Sequence, residues 1–363
     1  MKRIIAYFLF VIAFTLPAHA AKKLIQNANH GEIDQMTISP NGKFLACGLN
    51  QNGIDLWDAQ HGKFIKRLAN SFIHTVNKSM NETPIMWSKN GNLLLTAVSK
   101  EAPTKKDPFH YQYSVRIREM PSGKIIRTFP NLRPPLWTDG KILRVTDGKT
   151  IRTWRISDGA LLYGHILQLP ITAKEPPSPY EYVNYFAFSR NGKYLGYGAR
   201  LGNAYMCVWD TATGKLIHQI NDEYSAGGMP AISDDGRYLV SQGEDPNWTS
   251  PPPECSTPAC YGHTLKLQLW DFKKEKVIRS WPGFYSNNDV SMFLKFAHDG
   301  KHIFASDGFT SHIYDIPTGI IHDADISGNQ AISNDDRFWA NEYAGRPRIT
   351  STSTGKIIRI MRE

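Results

Sequence analysis

A polar turn flanked by two apolar segments recurs seven times along the chain. The copies begin at Ile38, Trp87, Trp137, Phe188, Ile232, Phe296 and Ile332. Six of them carry Asn-Gly or Asp-Gly at the turn, as in Asn41-Gly42 and Asp299-Gly300, and the seventh carries Asp335-Asp336. Because Gly accepts a positive φ that other residues resist, each copy predicts a tight β-hairpin, with more backbone strain in the seventh.

A second motif follows each hairpin and predicts another pair of strands. Examples are "IDLWDAQHGKFIKRL" from Ile54 and "MCVWDTATGKLIHQI" from Met206, which alternate apolar and polar residues on both sides of a turn. Seven units of four short strands, about 48 residues each, are typical of blades stacked in a ring. We therefore predict an all-β fold, a seven-bladed β-propeller of four-stranded antiparallel blades, as a single domain over residues 21–363.

Closure of this ring has two solutions at the sequence level. The segment "KKLIQNA" from Lys22 resembles the outer strand of a blade, and so does "GKIIRIM" near the C-terminus. Seven blades need seven outer strands, and eight candidates are present. Either terminal segment could complete the last blade, and the other would then be an arm.

Several units contain a Trp-Asp pair before their second turn. The pairs are Trp57-Asp58, Trp209-Asp210 and Trp270-Asp271. With a Gly-Lys or similar turn a few residues later, they resemble the WD40-repeat family over nearly all of residues 30–363. The family's Trp is replaced in two units, by Arg118 and Thr350, and its Gly-His pair is absent, as in divergent bacterial members. The resemblance implies a seven-bladed propeller that serves as an interaction platform, and an aromatic at a fixed place in each blade is typical of packing between sheets.

The first twenty residues predict export. They begin with Lys2 and Arg3, continue with an apolar run that is shorter than a membrane span, and end in Ala18-His19-Ala20, so we expect a cleavable signal peptide over 1–20 and a periplasmic or secreted protein without a membrane anchor. Its removal lowers the net charge of +9 by two. The remaining basic residues are scattered among acids, which does not indicate nucleic-acid binding. We expect a monomer.

The four cysteines divide into two kinds. Cys255 and Cys260 lie close together in a proline-rich segment, and in an oxidising compartment we expect them to form a disulfide. Free thiols, or a metal site that includes His263, are the alternatives. Cys47 and Cys207 stand in apolar strands far apart in the chain, and we expect them to be buried and unpaired.

Strand direction and loop length together predict which face binds. If the strands of a blade are named a to d from the inside outward, the a–b and c–d turns share one face and the b–c and d–a connections share the other. The long segments all fall in the second group, including an insertion at 243–263 in blade 5 and a connection at 100–113 in blade 2. Length concentrated on one face is typical of a recognition surface. Aromatic residues in these segments are the predicted binding residues: Phe72, Tyr111, Tyr113, Tyr180, Tyr182, Tyr224, Trp248, Tyr261, Phe284 and Tyr285.

No catalytic signature occurs in the sequence. It contains no Gly-x-Ser-x-Gly, no His-Glu-x-x-His and no phosphate-binding Gly-rich loop, and we predict no cofactor and no metal. The leading hypothesis is a non-catalytic exported platform whose partner is a protein or peptide. One alternative is a propeller hydrolase or lyase with a metal in the central channel, where His30, Glu32 and Asp34 precede the first inner strand. A third is a glycan or cell-wall binder.

Overall fold

The computed structural model describes fifteen stretches of the chain. They are residues 33–49, 53–68, 85–101, 111–132, 136–168, 186–198, 205–221, 230–244, 263–286, 293–306, 311–324, 330–333, 336–343, 346–352 and 356–361. Their regular structure consists of β-strands alone. No helix long and apolar enough to cross a membrane occurs in these stretches.

Seven four-stranded antiparallel sheets form the fold, each built from one continuous stretch of sequence in the order a-b-c-d. Blade 1 contains β1 (Ile33–Ile38), β2 (Phe44–Leu49), β3 (Gly53–Asp58) and β4 (Lys63–Leu68); blade 2 contains β5 (Ile85–Trp87), β6 (Leu93–Glu101), β7 (Tyr111–Glu119) and β8 (Lys124–Pro130); blade 3 contains β9 (Leu136–Thr138), β10 (Ile142–Thr146), β11 (Thr150–Arg155) and β12 (Leu161–Ile166); blade 4 contains β13 (Phe186–Phe188), β14 (Tyr194–Gly198), β15 (Tyr205–Asp210) and β16 (Leu216–Asn221). Blade 5 contains β17 (Ala231–Ile232), β18 (Tyr238–Glu244), β19 (His263–Asp271) and β20 (Lys276–Ser286); blade 6 contains β21 (Phe293–Phe296), β22 (His302–Ser306), β23 (Ser311–Asp315) and β24 (Ile321–Ala324); blade 7 contains β25 (Gln330–Ile332), β26 (Phe338–Tyr343), β27 (Arg346–Ser351) and β28 (Ile357–Ile360). The predicted all-β, seven-bladed propeller is confirmed.

The a–b turns follow the chemistry that the sequence indicates. In blade 1, the Ser39 hydroxyl donates to Asn41 Oδ1 at 2.8 Å and accepts from the backbone N–H of Phe44 at 2.9 Å. Gly42 has a φ of +66°, and the turn glycine of every other Asn-Gly or Asp-Gly copy is also positive. Asp336 holds this place in blade 7 with a φ of +59°, so the seventh turn places a residue with a Cβ in a conformation that favours Gly.

Each Trp-Asp pair has a packing member and a turn-capping member. Trp209 is buried and donates its indole N–H to the backbone carbonyl of Gln168 at 2.8 Å, which ties blade 4 to blade 3. Asp210 accepts from the backbone N–H groups of Ala212 and Thr213 at 3.0 and 2.9 Å, which closes the c–d turn. The predicted packing role of the tryptophans is confirmed for Trp57, Trp209 and Trp270, which are all buried.

The ring closes by side-chain packing between blades 1 and 7. The outer strand of blade 7 is β28, so the C-terminal segment completes the last blade, and the segment from Lys22 lies outside the described residues. Ile33, Met36 and Ile38 of blade 1 belong to one buried cluster with Ala331 and Ala340 of blade 7. Burial of this apolar surface stabilises the junction between the two blades.

Candidate functional site

Strand direction divides the connections between the two faces of the disc. Because neighbouring strands in every blade are antiparallel, the a–b and c–d turns share one face and the b–c and d–a connections share the other. The longest connections, residues 69–84, 102–110, 167–185, 222–230 and 245–262, are all of the b–c or d–a kind. We call the two sides the tight-turn face and the long-connection face, and this division is the one that the sequence predicts.

Most of the predicted binding aromatics lie outside the described residues. These are Phe72, Tyr180, Tyr182, Tyr224, Trp248 and Tyr261, and the pair Cys255 and Cys260 lies outside them as well. Cys47 and Cys207 are buried and free, as expected. Burial raises the pKa of both thiols, which keeps them protonated at neutral pH.

The four remaining aromatics stand in strands, which corrects their assignment to loops. Tyr111 and Tyr113 begin β7, where Tyr111 pairs with Glu101 and Tyr113 with Ser99. Phe284 and Tyr285 lie near the end of β20, where Tyr285 pairs with Thr264. The sequence pattern predicts a connection over residues 100–113, whereas β6 continues to Glu101 and β7 begins at Tyr111; β20 likewise continues to Ser286. A ladder extends for as long as both strands offer β-forming residues in register.

Blades 2 and 5 therefore project beyond the other blades on the long-connection face. Strands β6 and β7 have nine residues each, β19 has nine and β20 has eleven. No other strand in the described stretches exceeds seven residues. Blades 3 and 4 separate these two blades on one side of the ring, and blades 6, 7 and 1 separate them on the other. The extended strands of blades 2 and 5 thus lie on opposite sides of one face.

A hydrogen-bonded network joins a–b turns of three blades on the tight-turn face. The guanidinium of Arg190, in the a–b turn of blade 4, donates to both carboxylate oxygens of Asp336 in blade 7, at 2.7 and 2.9 Å. It also donates to the Ser333 carbonyl at 3.3 Å, while the backbone N–H of His298 in blade 6 donates to Asp336. The side chains of Arg190 and Asp336 are only 12% and 14% exposed, so this pair is shielded from solvent and links three blades.

This network of Arg190 and Asp336 was not predicted from the sequence. Arg190 and Asp336 are 146 positions apart and stand in two copies of the same turn. The one available signal is that both copies place a charged residue beside or within the turn pair. Whether two such side chains meet depends on the radius of the ring, which no local pattern encodes.

The charges of Arg190 and Asp336 both affect the pKa of Lys295, which lies on the inner strand β21. Burial and the positive charge of Arg190 lower the pKa of Lys295 to about 7, and the carboxylate of Asp336 opposes this shift. An amine with this pKa is close to half neutral at neutral pH, so it can accept or release a proton there. Lowered lysine pKa values also occur at functional sites, where the neutral amine is the reactive form.

A Lys295→Met variant should be more stable than the wild type at pH 6 by up to about 5 kcal/mol, because a pKa near 7 in place of 10.5 disfavours the charged amine in the folded state by that amount. In the unfolded chain the amine keeps its ordinary pKa of 10.5, whereas in the folded protein it titrates near 7. Between these values only the unfolded state holds the proton, so wild-type stability gains from this group as pH rises through that window. The advantage of the variant should therefore shrink toward pH 10. Urea unfolding of both proteins at pH 6, 8 and 10 measures it, and a difference that does not vary with pH would contradict the assignment.

The structure offers no metal cluster within the stretches it describes. No group of three or more His, Cys, Asp or Glu side chains there could hold a metal ion. Of the three channel residues named as an alternative, His30 and Glu32 lie outside the described residues and Asp34 lies in β1.

Comparison with known proteins gives a similarity of fold and nothing more. No protein-family model and no curated protein matches the chain. A solved structure of Kuenenia stuttgartiensis hydrazine synthase superposes with a TM-score of 0.58 and 16% sequence identity, and the match covers 93% of this chain and 97% of that chain. The likeness is one of fold. At this identity it carries no information about substrates or partners.

Proposed function

We propose that the protein is an exported, non-catalytic interaction platform that binds another protein or a peptide on its long-connection face. The observation that carries this proposal is the pair of extended two-stranded ladders, β6–β7 and β19–β20, whose ends reach that face on opposite sides of the ring. Regular ladders hold the positions of the connections that they support, and binding residues are concentrated in connections held by such scaffolds. A partner that binds between the ends of the two ladders would contact both.

The aromatic residues fit this role. Tyr111 and Tyr113 stand at the base of the connection in blade 2, and Phe284 and Tyr285 stand at the long-connection end of β20. Aromatic side chains bring large contact area at a low cost in conformational entropy, which is why they anchor interfaces. The proposed disulfide between Cys255 and Cys260 would stiffen the connection at 245–262 and reduce the entropy lost on binding.

We also propose that the repeats are WD40-like. Two observations support this: the tryptophans of the Trp-Asp pairs pack between blades, and the aspartates cap the c–d turns. Both roles recur in several blades. Arg118 and Thr350, which replace the Trp in blades 2 and 7, are also buried, so the position is internal even where the aromatic ring has been lost.

Site-specific photo-crosslinking tests the binding face. Tyr111 or Phe284 is replaced by benzoylphenylalanine in one set of variants, and Lys43 or Lys193, exposed on the tight-turn face, in a matched set. We expect cross-linked protein adducts in the exported fraction from the first set, at least tenfold more abundant than from the second. Deletion of residues 247–261 should reduce the adducts to the level of the control set.

The outcomes separate the candidate functions. Adducts that form only from Lys43 or Lys193 would contradict the proposed face. Adducts that resist protease and are removed by glycosidases would replace the protein partner with a glycan. Circular dichroism of the deletion variant, compared with the wild type, distinguishes a lost binding surface from a lost fold.

A further inference from the structure

A different surface, the outer rim of the disc, exposes large apolar side chains in an uneven way. Twelve large apolar residues in the described stretches are 36% to 80% exposed, and all of them lie on or next to the outer d strands. Ten belong to four consecutive blades: Ile357, Ile358 and Ile360 in blade 7; Phe64 and Ile65 in blade 1; Ile125 and Ile126 in blade 2; Leu161, Leu162 and Ile166 in blade 3. We call the outer strands of these four blades the apolar arc.

A β-bulge in the outer strand explains why aliphatic residues are exposed in consecutive pairs. In blade 2, Ile117 pairs with Arg127 and Arg118 with Ile125, so Ile126 is an extra residue without a partner in the ladder. The same shift leaves Ile65, Leu162 and Ile358 unpaired in the other blades of the arc. A bulge interrupts the strict alternation of side chains between the two faces of a strand. Both members of each pair can therefore stay exposed.

The apolar arc is also cationic. Its strands contain Lys63, Lys66, Arg67, Lys124, Arg127 and Arg359 but no Asp or Glu. Arg127 donates to the carbonyls of Ile156 and Asp158 in blade 3, and Lys66 donates to the carbonyl of Ser122 in blade 2. These neutral acceptors position the side chains without neutralising their charge. Among the residues that the structure describes, Arg67 is the one cation of this set with a carboxylate partner, the buried Asp55.

A cleft between blades 2 and 3 opens within this arc. It has a volume of about 340 Å³ and is lined by Arg127, Phe129, Pro130, Leu132, Trp154 and Asp158 among others. The rings of Phe129 and Trp154 lie 6.0 Å apart, Arg127 lines the same cleft, and the Asp158 carboxylate there is paired with Arg155 at 2.6 Å. A cleft with an aromatic wall and a cation suits an apolar anchor residue that has a carboxylate beside it.

We propose that the apolar arc is a second docking surface, which binds a segment of another protein carrying aliphatic or aromatic side chains between carboxylates. Charge complementarity selects this occupant, because the arc joins exposed apolar pairs to cations and carries no acid on its strands. A second copy of the chain would bring two cationic surfaces together. A flat anionic membrane could touch only part of a convex rim that extends over four of seven blades.

The contact is made through side chains and not by adding a strand to the sheet. The outer strands have one free edge, but bulges and lysines are features that protect an edge from pairing with another chain. The arc is separate from the long-connection face, so this proposal does not rest on the proposed function.

Fluorescence anisotropy with a synthetic peptide tests the proposal. The probe is a labelled peptide in which Leu and Trp alternate with pairs of Glu, and its controls carry Lys for Glu or Ser for Leu and Trp. We expect the acidic apolar probe to bind at least tenfold more tightly than either control, and added salt to weaken it. The double variant I125S/I126S should weaken binding about tenfold. The matched variant I217S, at an exposed isoleucine of blade 4 outside the arc, should not.

Three results would overturn the proposal. The first is equal binding of the acidic and basic probes, and the second is wild-type binding by I125S/I126S. The third is the absence of probe binding together with either dimer formation in sedimentation or co-sedimentation with phosphatidylglycerol vesicles, which would assign the arc to self-association or to a lipid surface. Urea unfolding of both variants verifies that they remain folded, and photo-crosslinking from positions 111 and 284 reports on the other face independently.

Discussion

The variant Gly192→Ala is expected to lose about 3 kcal/mol or more of unfolding free energy, whereas Gly300→Ala should lose only about 1 kcal/mol. Both glycines hold the same place in their a–b turns, with φ values of +68° and +64°. A Cβ at position 192 would lie 2.2 Å from Cε2 and 2.3 Å from Cδ2 of Trp137, while a Cβ at position 300 would have no atom within 4 Å. Both substitutions therefore place a Cβ on a backbone with positive φ, but the one at position 192 also creates a steric clash.

Displacement of the Trp137 ring is what makes the first substitution costly. The indole N–H of Trp137 donates to the Arg190 carbonyl at 2.8 Å, and the guanidinium of Arg144 lies 5.1 Å from the ring centroid. A shift large enough to admit a methyl group would weaken both contacts and force the ring off its packed position. Urea unfolding of the two variants beside the wild type gives the difference directly. Equal losses would mean that the turn at 192 moves away at little cost and that Trp137 does not restrain it.

The architecture of this protein was predictable because its strongest signals are local. A turn glycine with positive φ, a capping aspartate and a buried tryptophan each depend on residues a few positions away, and each recurs with the repeat. The sequence also predicts that Asp336 takes the place of Gly in the seventh turn. Asp336 has the left-handed conformation that the repeat requires. Repetition supplied seven independent observations of the same pattern.

The closing of the ring and the length of its hairpins were less accessible. Two terminal segments had outer-strand patterns of equal quality, and the choice of β28 depends on contacts summed over a whole blade. The extension of β7 back to Tyr111 and of β20 to Ser286 depends on the partner strand as much as on their own residues. Pairing is a property of two strands, so the pattern of one strand places its end only approximately.

The apolar arc could have been found in the sequence. Outer strands repeat a basic residue followed by two consecutive aliphatics, as in "KII" at 124–126 and at 356–358. Strict alternation allows only one of two neighbours to face the core, so such a doublet requires either a bulge or an exposed apolar residue, and the structure has both. The network around Arg190 offered no comparable signal.

Loss of the Arg190 side chain is the second large effect that we expect. Arg190→Met should lower the unfolding free energy by about 3 kcal/mol, because it leaves the shielded carboxylate of Asp336 without the Nη1 group that donates to both of its oxygens. The same change at Arg155, whose pair with Asp158 is about half exposed on both sides, should cost less than about 0.5 kcal/mol. Chemical denaturation of both variants measures the contrast.

A second readout identifies the loss with the network itself. The positive charge of Arg190 holds down the pKa of Lys295, so Arg190→Met should raise that pKa and flatten the rise in stability that the wild type shows above pH 7. The double variant Arg190→Met with Asp336→Asn removes the stranded charge and should recover part of the stability. If Arg190→Met were no more costly than Arg155→Met, the Arg190–Asp336 pair would not be shielded from solvent, and the network would not stabilise the fold.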